Sequence, residues 1–92
     1  MTDGRGPYEL RLASRASDYL DRVDERTRSR LKARLDQIAN SPYGPQTKPL
    51  TNRPGLRSAR VGDLRIIFSV DSATQIVDVD RIGPRGQIYR GL

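Results

Sequence analysis

An α+β fold, with two N-terminal helices packed on one face of a small, mainly antiparallel sheet, is what this 92-residue sequence predicts. Three observations lead there. Tyr8-Glu9-Leu10-Arg11-Leu12 alternates apolar and polar side chains with the period of a half-buried strand. Apolar residues then recur at helical spacing as far as Asn40. From Arg57 onward, β-prone runs are separated by turn residues, which gives a meander rather than alternating strands and helices. The element order is therefore β-α-α-β-β-β, in a single domain over residues 1–92, because so short a chain supplies apolar material for one core.

The elements follow in order. Residues 1–7 are polar, with two glycines and a proline, and read as a loose arm before the first strand. Ser14 is a candidate N-cap for a helix over 15–23, whose apolar side is Ala16, Tyr19, Leu20 and Val23. Asp24 caps a second helix that runs to Asn40, where Asn-Ser-Pro stops it. Its apolar stripe is Leu31, Leu35 and Ile38, and a file of Arg26, Arg30 and Arg34 recurs every four residues. Such a file is either a nucleic-acid footprint or a solvated helix face. Residues 41–56, with Pro42, Gly44, Pro45, Pro49, Pro54 and Gly55, form a long connection without regular structure. Strands follow over 57–61, 64–70 and 75–82, and a short tail ends the chain.

The register of the meander follows from its turns. Gly62-Asp63 reads as a two-residue turn, with glycine supplying the positive φ that tight hairpins need. Val61 then faces Leu64, and Arg60 faces Arg65 with Cβ atoms about 5 Å apart. Around Asp71–Thr74, a turn of even length sets Val70 opposite Gln75, so that Val61, Leu64, Ile66, Phe68, Val70, Val77 and Val79 share an apolar face. The other face carries Ser58, Arg60, Arg65, Ile67, Asp78, Asp80 and Ile82, with Asp80 across from Arg65. Two helices cover one face only, so this second face is expected to be open. A chain that turns back after Gly83-Pro84 brings Arg85, Tyr89 and Arg90 toward it.

Composition narrows the chemistry. The net charge is +6, and 15 of the 17 basic residues are Arg, whose planar fork suits phosphate. With no Cys and no His, thiolate or imidazole metal sites and His-based catalysis are excluded. No segment has the length and apolar character of a membrane span, and the N-terminus has no apolar signal region, so the cytoplasm is the expected compartment. Cations beside an aromatic ring suit single-stranded nucleic acid, in which phosphates are held and an unpaired base stacks.

The segments Lys48-Pro49-Leu50, Gly55 to Phe68, Arg81-Ile82-Gly83-Pro84-Arg85 and Tyr89-Arg90 resemble the RelE/ParE superfamily of bacterial toxins from type II toxin-antitoxin systems. The resemblance implies a small RelE-like toxin fold. For the RelE branch it implies ribosome-dependent, metal-independent cleavage of mRNA in the A site, with a 2′-hydroxyl as nucleophile. By position, Arg65 and Arg85 resemble the arginines that hold the scissile phosphate and assist the leaving group. Tyr89 resembles the C-terminal tyrosine that stacks or transfers a proton, and Arg60 takes a basic position on the preceding strand. Lys48, Arg57, Arg81 and Arg90 are expected to bind RNA.

Two departures stand out. Pro84 replaces a His found in many relatives, and Ser58 stands where some have Lys. Arginine stays protonated in proteins, so Arg60 is a poor general base. That leaves Lys48, Asp80, water or ribosomal RNA for the role. The resemblance also implies a cognate antitoxin, expected to be acidic and to cover the open sheet face, besides ribosome and mRNA. No cofactor or metal is expected. Two alternatives are carried beside RNA cleavage: a ParE-like inhibitor of DNA gyrase, and a non-catalytic basic nucleic-acid-binding module.

Overall fold

The computed structural model describes residues 7–89; residues 1–6 of the arm expected over 1–7, and Arg90, lie outside the described residues. Its elements are β1 (Glu9–Leu12), α1 (Ser14–Arg22), α2 (Glu25–Asn40), β2 (Thr47–Pro49), β3 (Arg57–Val61), β4 (Leu64–Asp71), β5 (Ile76–Pro84) and α3 (Arg85–Ile88). The five strands form one mixed sheet in the order β1-β5-β4-β3-β2. Only β1 and β5 are parallel. Among the described residues, no helix is long and apolar enough to cross a membrane.

Ser14 is the first helical residue rather than the cap of α1; Ala13 holds that place without a side-chain bond. The reason is that β1 feeds straight into the helix. Ala13 donates its N–H to the Val79 carbonyl at 2.9 Å, and its own carbonyl accepts from Ala16 and Ser17. At α2 the expected cap is in place, with Asp24 accepting from the Thr27 N–H at 3.4 Å. Hydrogen bonding from the Thr27 side chain, aided by its backbone N–H, holds the Asp24 carboxyl below the usual carboxylate range. Arg28 then locks the helix pair, donating to the carbonyls of Leu20 and Val23, each at 2.9 Å. Guanidinium groups suit such helix ends because the last carbonyls there lack intrahelical partners.

The core lies between α1, α2 and one sheet face: Ala16, Leu20, Leu31, Leu35 and Ile38 from the helices meet Ala59, Val61, Ile66, Phe68, Val77, Val79 and Ile82. Leu64 and Val70 pack at its margin. The β3–β4 hairpin has the expected register, with Val61 facing Leu64 and Arg60 facing Arg65. Gly62 has φ +59 while Asp63 has ordinary negative φ, the arrangement of a turn that needs glycine first. A Cβ at Gly62 also lies only 3.1 Å from Arg30 Nη2. Gly62→Ala is therefore expected to cost about 1–2 kcal/mol and to lower the melting temperature in thermal circular dichroism.

The β4–β5 register differs from the expected one by two residues, Val70 facing Val77 and Phe68 facing Val79. The turn is the cause. Asp71 accepts from the N–H groups of Ala73 and Thr74 at 3.1 and 3.3 Å, and Gln75 adopts φ 58, so Gln75 closes the turn instead of opening the strand. A bulge follows at Asp80: Phe68 faces Val79, but Ile67 faces Arg81, and Gly83, not Asp80, faces Arg65. The extra residue inverts the strand beyond it. Ile82 turns into the core, and Asp80 bonds Arg81 at 2.6 Å.

Two elements unexpected from the sequence reshape the second sheet face, one by widening the sheet and one by packing on it. β2 pairs with β3 inside the stretch read as irregular, and α3 packs on β4 and β5 inside the stretch read as a tail. Ile67 is consequently fully buried and Ser58 nearly so, where an open face was expected. Pro49 is compatible with β2 because this is an edge strand.

Candidate functional site

The second sheet face is built from cross-strand rows. Lys48 faces Ser58, Ser58 faces Ile67, and Ile67 faces Arg81. In the adjoining row Arg60 faces Arg65, which faces Gly83. Cross-strand partners share a face, so these side chains are set by pairing alone. Around the buried Ser58, the side chains of Lys48, Arg60 and Arg65 close a cleft of about 140 Å³ with Pro45, Gln46 and Thr47. Lys48 and Arg65 make no side-chain hydrogen bond or ion pair among the described residues, and Arg60 donates only to the Gly62 carbonyl at 3.1 Å. Three cations therefore converge without a carboxylate. Opposed like charges destabilise a sheet, and an anion in the cleft removes that cost.

α3 brings the C-terminal residues back over the same face. A Cβ on Gly83 points at Ile88 Cδ1 3.4 Å away, so Ile88 lies on the Arg65 side of the sheet. Arg85 begins α3, its N–H bonded to the Asp63 carbonyl at 3.1 Å, which pins it to the tip of the β3–β4 hairpin. Its side chain is exposed. Tyr89, 39% exposed, lines a neighbouring hollow of about 260 Å³ with Leu50, Thr51, Asn52 and Arg53. Arg65, Arg60 and Lys48 thus share one cleft, while Arg85 is held at the hairpin tip and Tyr89 lines a separate hollow.

Two of the residues expected to bind RNA have structural engagements. Arg57 belongs to the core face of β3; its guanidinium donates to the Pro42 carbonyl at 3.2 Å and Thr47 Oγ1 at 2.8 Å, and lies 5.1 Å from the Tyr43 ring centre. It fixes the segment that forms the cleft wall. Arg81 is half-buried, paired with Asp80 and directed to the Ile88 carbonyl at 3.5 Å, so it ties α3 to β5. Asp80, a candidate base from the sequence, is held in that pair away from Arg65. Sequence reading missed Pro45, Gln46 and Thr47 as cleft wall. Their only local signal is a three-residue strand ending in proline, too short to register as periodicity.

Residues 10–89 match the family described as ParE toxin of type II toxin-antitoxin system, parDE. The chain belongs to this toxin family. Toxin RelE of Mycobacterium tuberculosis is 30% identical over 86 residues, spanning 91% of this chain and 88% of the relative. Among solved structures, the toxin-antitoxin complex RelBE2 of Mycobacterium tuberculosis superposes with a TM-score of 0.76 at 25% identity, covering 89% of this chain and 95% of that one. The intact RelBE complex of Escherichia coli has the same fold, with a TM-score of 0.74 at 22% identity over 84% of this chain and 95% of that one. The α+β architecture derived above, a mixed sheet of five strands with helices packed against it, is thus that of the RelE and ParE toxins.

Proposed function

We propose that this toxin is a ribosome-dependent endoribonuclease that cleaves mRNA, with the Lys48–Arg60–Arg65 cleft taking the scissile phosphate. The observation that carries the reading is the convergence of those three cations around Ser58 with no carboxylate among the cleft residues. In the reaction, the 2′-oxygen bonds to phosphorus, the P–O5′ bond breaks, the 2′-hydroxyl proton passes to a base, and the leaving 5′-oxygen gains a proton. Arg65 and Arg60 offset the charge that builds on the phosphorane oxygens, and fixed cations of this kind contribute several kcal/mol of transition-state stabilisation. Arg85, held at the hairpin tip, assists the leaving oxygen, and Tyr89 stacks on an adjacent base. Lys48 is the proposed base among the cleft groups, since arginine cannot serve. Arg90 adds to RNA binding beyond Tyr89.

Primer extension on mRNA from translating ribosomes tests this: cuts within codons are expected with the parent protein, and intact message at growth-arresting doses rejects the proposal. The family match and Pro84, which stands where many relatives have His, favour one second reading, inhibition of DNA gyrase. A supercoiling assay separates the two, because a ribosome-dependent nuclease leaves gyrase untouched. A cognate antitoxin is the proposed partner in either case, as the names of the solved complexes indicate for their own toxins. Its acidic segment would neutralise the cleft cations, and co-expression is expected to relieve growth arrest.

A further inference from the structure

A second group of cations adjoins the cleft on its helix side. Arg26, Arg30 and Arg34 lie along one face of α2, one turn apart, which places successive Cβ atoms about 5–6 Å from each other. None of the three has a carboxylate three or four residues away within the helix. Like charges at that spacing weaken a helix by a few tenths of a kcal/mol, so helix stability does not account for the file. Two contacts join it to the cleft. Arg34 donates to Gln46, a residue of the cleft wall, and to Gln37 at 2.7 Å. Arg30 lays its guanidinium on the Gly62 turn, where a Cβ would lie 3.1 Å from Nη2, and the Arg60 guanidinium reaches the same residue from the cleft side at 3.1 Å. Arg26 and Arg30 are exposed and form no ion pair among the described residues. The cations therefore run from Lys48 and Arg65 around the hairpin tip, which also carries the exposed Asp63, onto α2.

We propose that Arg30 and Arg26 are a second phosphate-binding site, a track that holds RNA backbone beyond the phosphate taken by the cleft. The proposal rests on the reading of the cleft anion as RNA phosphate. It assigns Arg34 a different part, that of bracing the Gln46 wall, because its Nη1 already donates to Gln37 and Gln46.

The test is binding of a short uridine-rich 2′-O-methyl RNA, which lacks the nucleophilic hydroxyl and so reports affinity without cleavage. Each lost phosphate contact lowers the slope of log affinity against log salt by about 0.7 for a single strand. The Arg26→Gln/Arg30→Gln double variant is expected to lose about 1.4 from that slope and to bind several-fold more weakly. Arg15→Gln/Arg22→Gln on α1, which removes the same charge elsewhere, is expected to leave the slope near the parent value. On translating ribosomes the α2 variant should need more protein for half-maximal cleavage yet reach the parent's maximal rate. An unchanged slope in the α2 variant, an equal loss in the α1 variant, or a parent that does not bind the RNA overturns the track. Binding with the expected slopes but no ribosomal cleavage leaves the track standing and rejects the nuclease reading alone.

Discussion

Arg65→Ala is expected to lower ribosome-dependent mRNA cleavage by about 10²–10³-fold and to abolish growth arrest, with a melting temperature close to that of the parent. The side chain is half-buried on the cleft face of β4 and makes no hydrogen bond or ion pair among the described residues, so its removal orphans no partner. It also relieves the cross-strand repulsion with Arg60. Stability and activity should therefore separate, as they do when a charge is held for a ligand rather than for the fold. Arg65→Lys sharpens the result: the charge stays but the planar fork is lost, and an intermediate rate is expected if two phosphate oxygens are held together. Primer extension with purified ribosomes and matched thermal melts measures both. Cleavage at the parent rate by Arg65→Ala would remove Arg65 from the site.

How much of this site could be read from the sequence depends on what fixes each piece. The Arg60–Arg65 pair is set by a two-residue turn around Gly62, a local feature, and the structure has that register. The β4–β5 register depends on Gln75 taking a left-handed conformation, which its residue type disfavours and only the Asp71 turn makes available. The bulge at Asp80 is less local still. It allows Ile82 to enter the core while Arg81 stays on the cleft side to hold Ile88, a choice made by packing across the sheet. The cleft wall at Pro45–Thr47 follows the same logic, since it is placed by Arg57 and Arg34, residues distant in the chain. Periodicity identified the helices and long strands; side chains that reach across elements fixed the rest.

The largest expected stability effect is at Phe68, beneath the cleft. Phe68→Ala removes a fully buried ring at the centre of β4, between Arg57 on β3 and Val79 on β5, at a cost of about 3–5 kcal/mol. A domain of this size has a total stability of about 5–15 kcal/mol, so the variant is expected to melt far below the parent and to be partly unfolded at growth temperature. Ile66, Val77 and Val79 of the same core are themselves buried, so the core cannot close the gap by a simple rotation. Growth arrest should be lost, as with Arg65→Ala, but for the opposite reason. Urea unfolding distinguishes them: Phe68→Ala shifts the midpoint strongly and Arg65→Ala does not. Phe68→Leu, which refills most of the volume, should recover much of the midpoint and the toxicity together. If toxicity stayed absent in a Phe68→Leu protein that melts like the parent, the ring would have a part in holding Arg65 and Arg60 that burial alone does not explain.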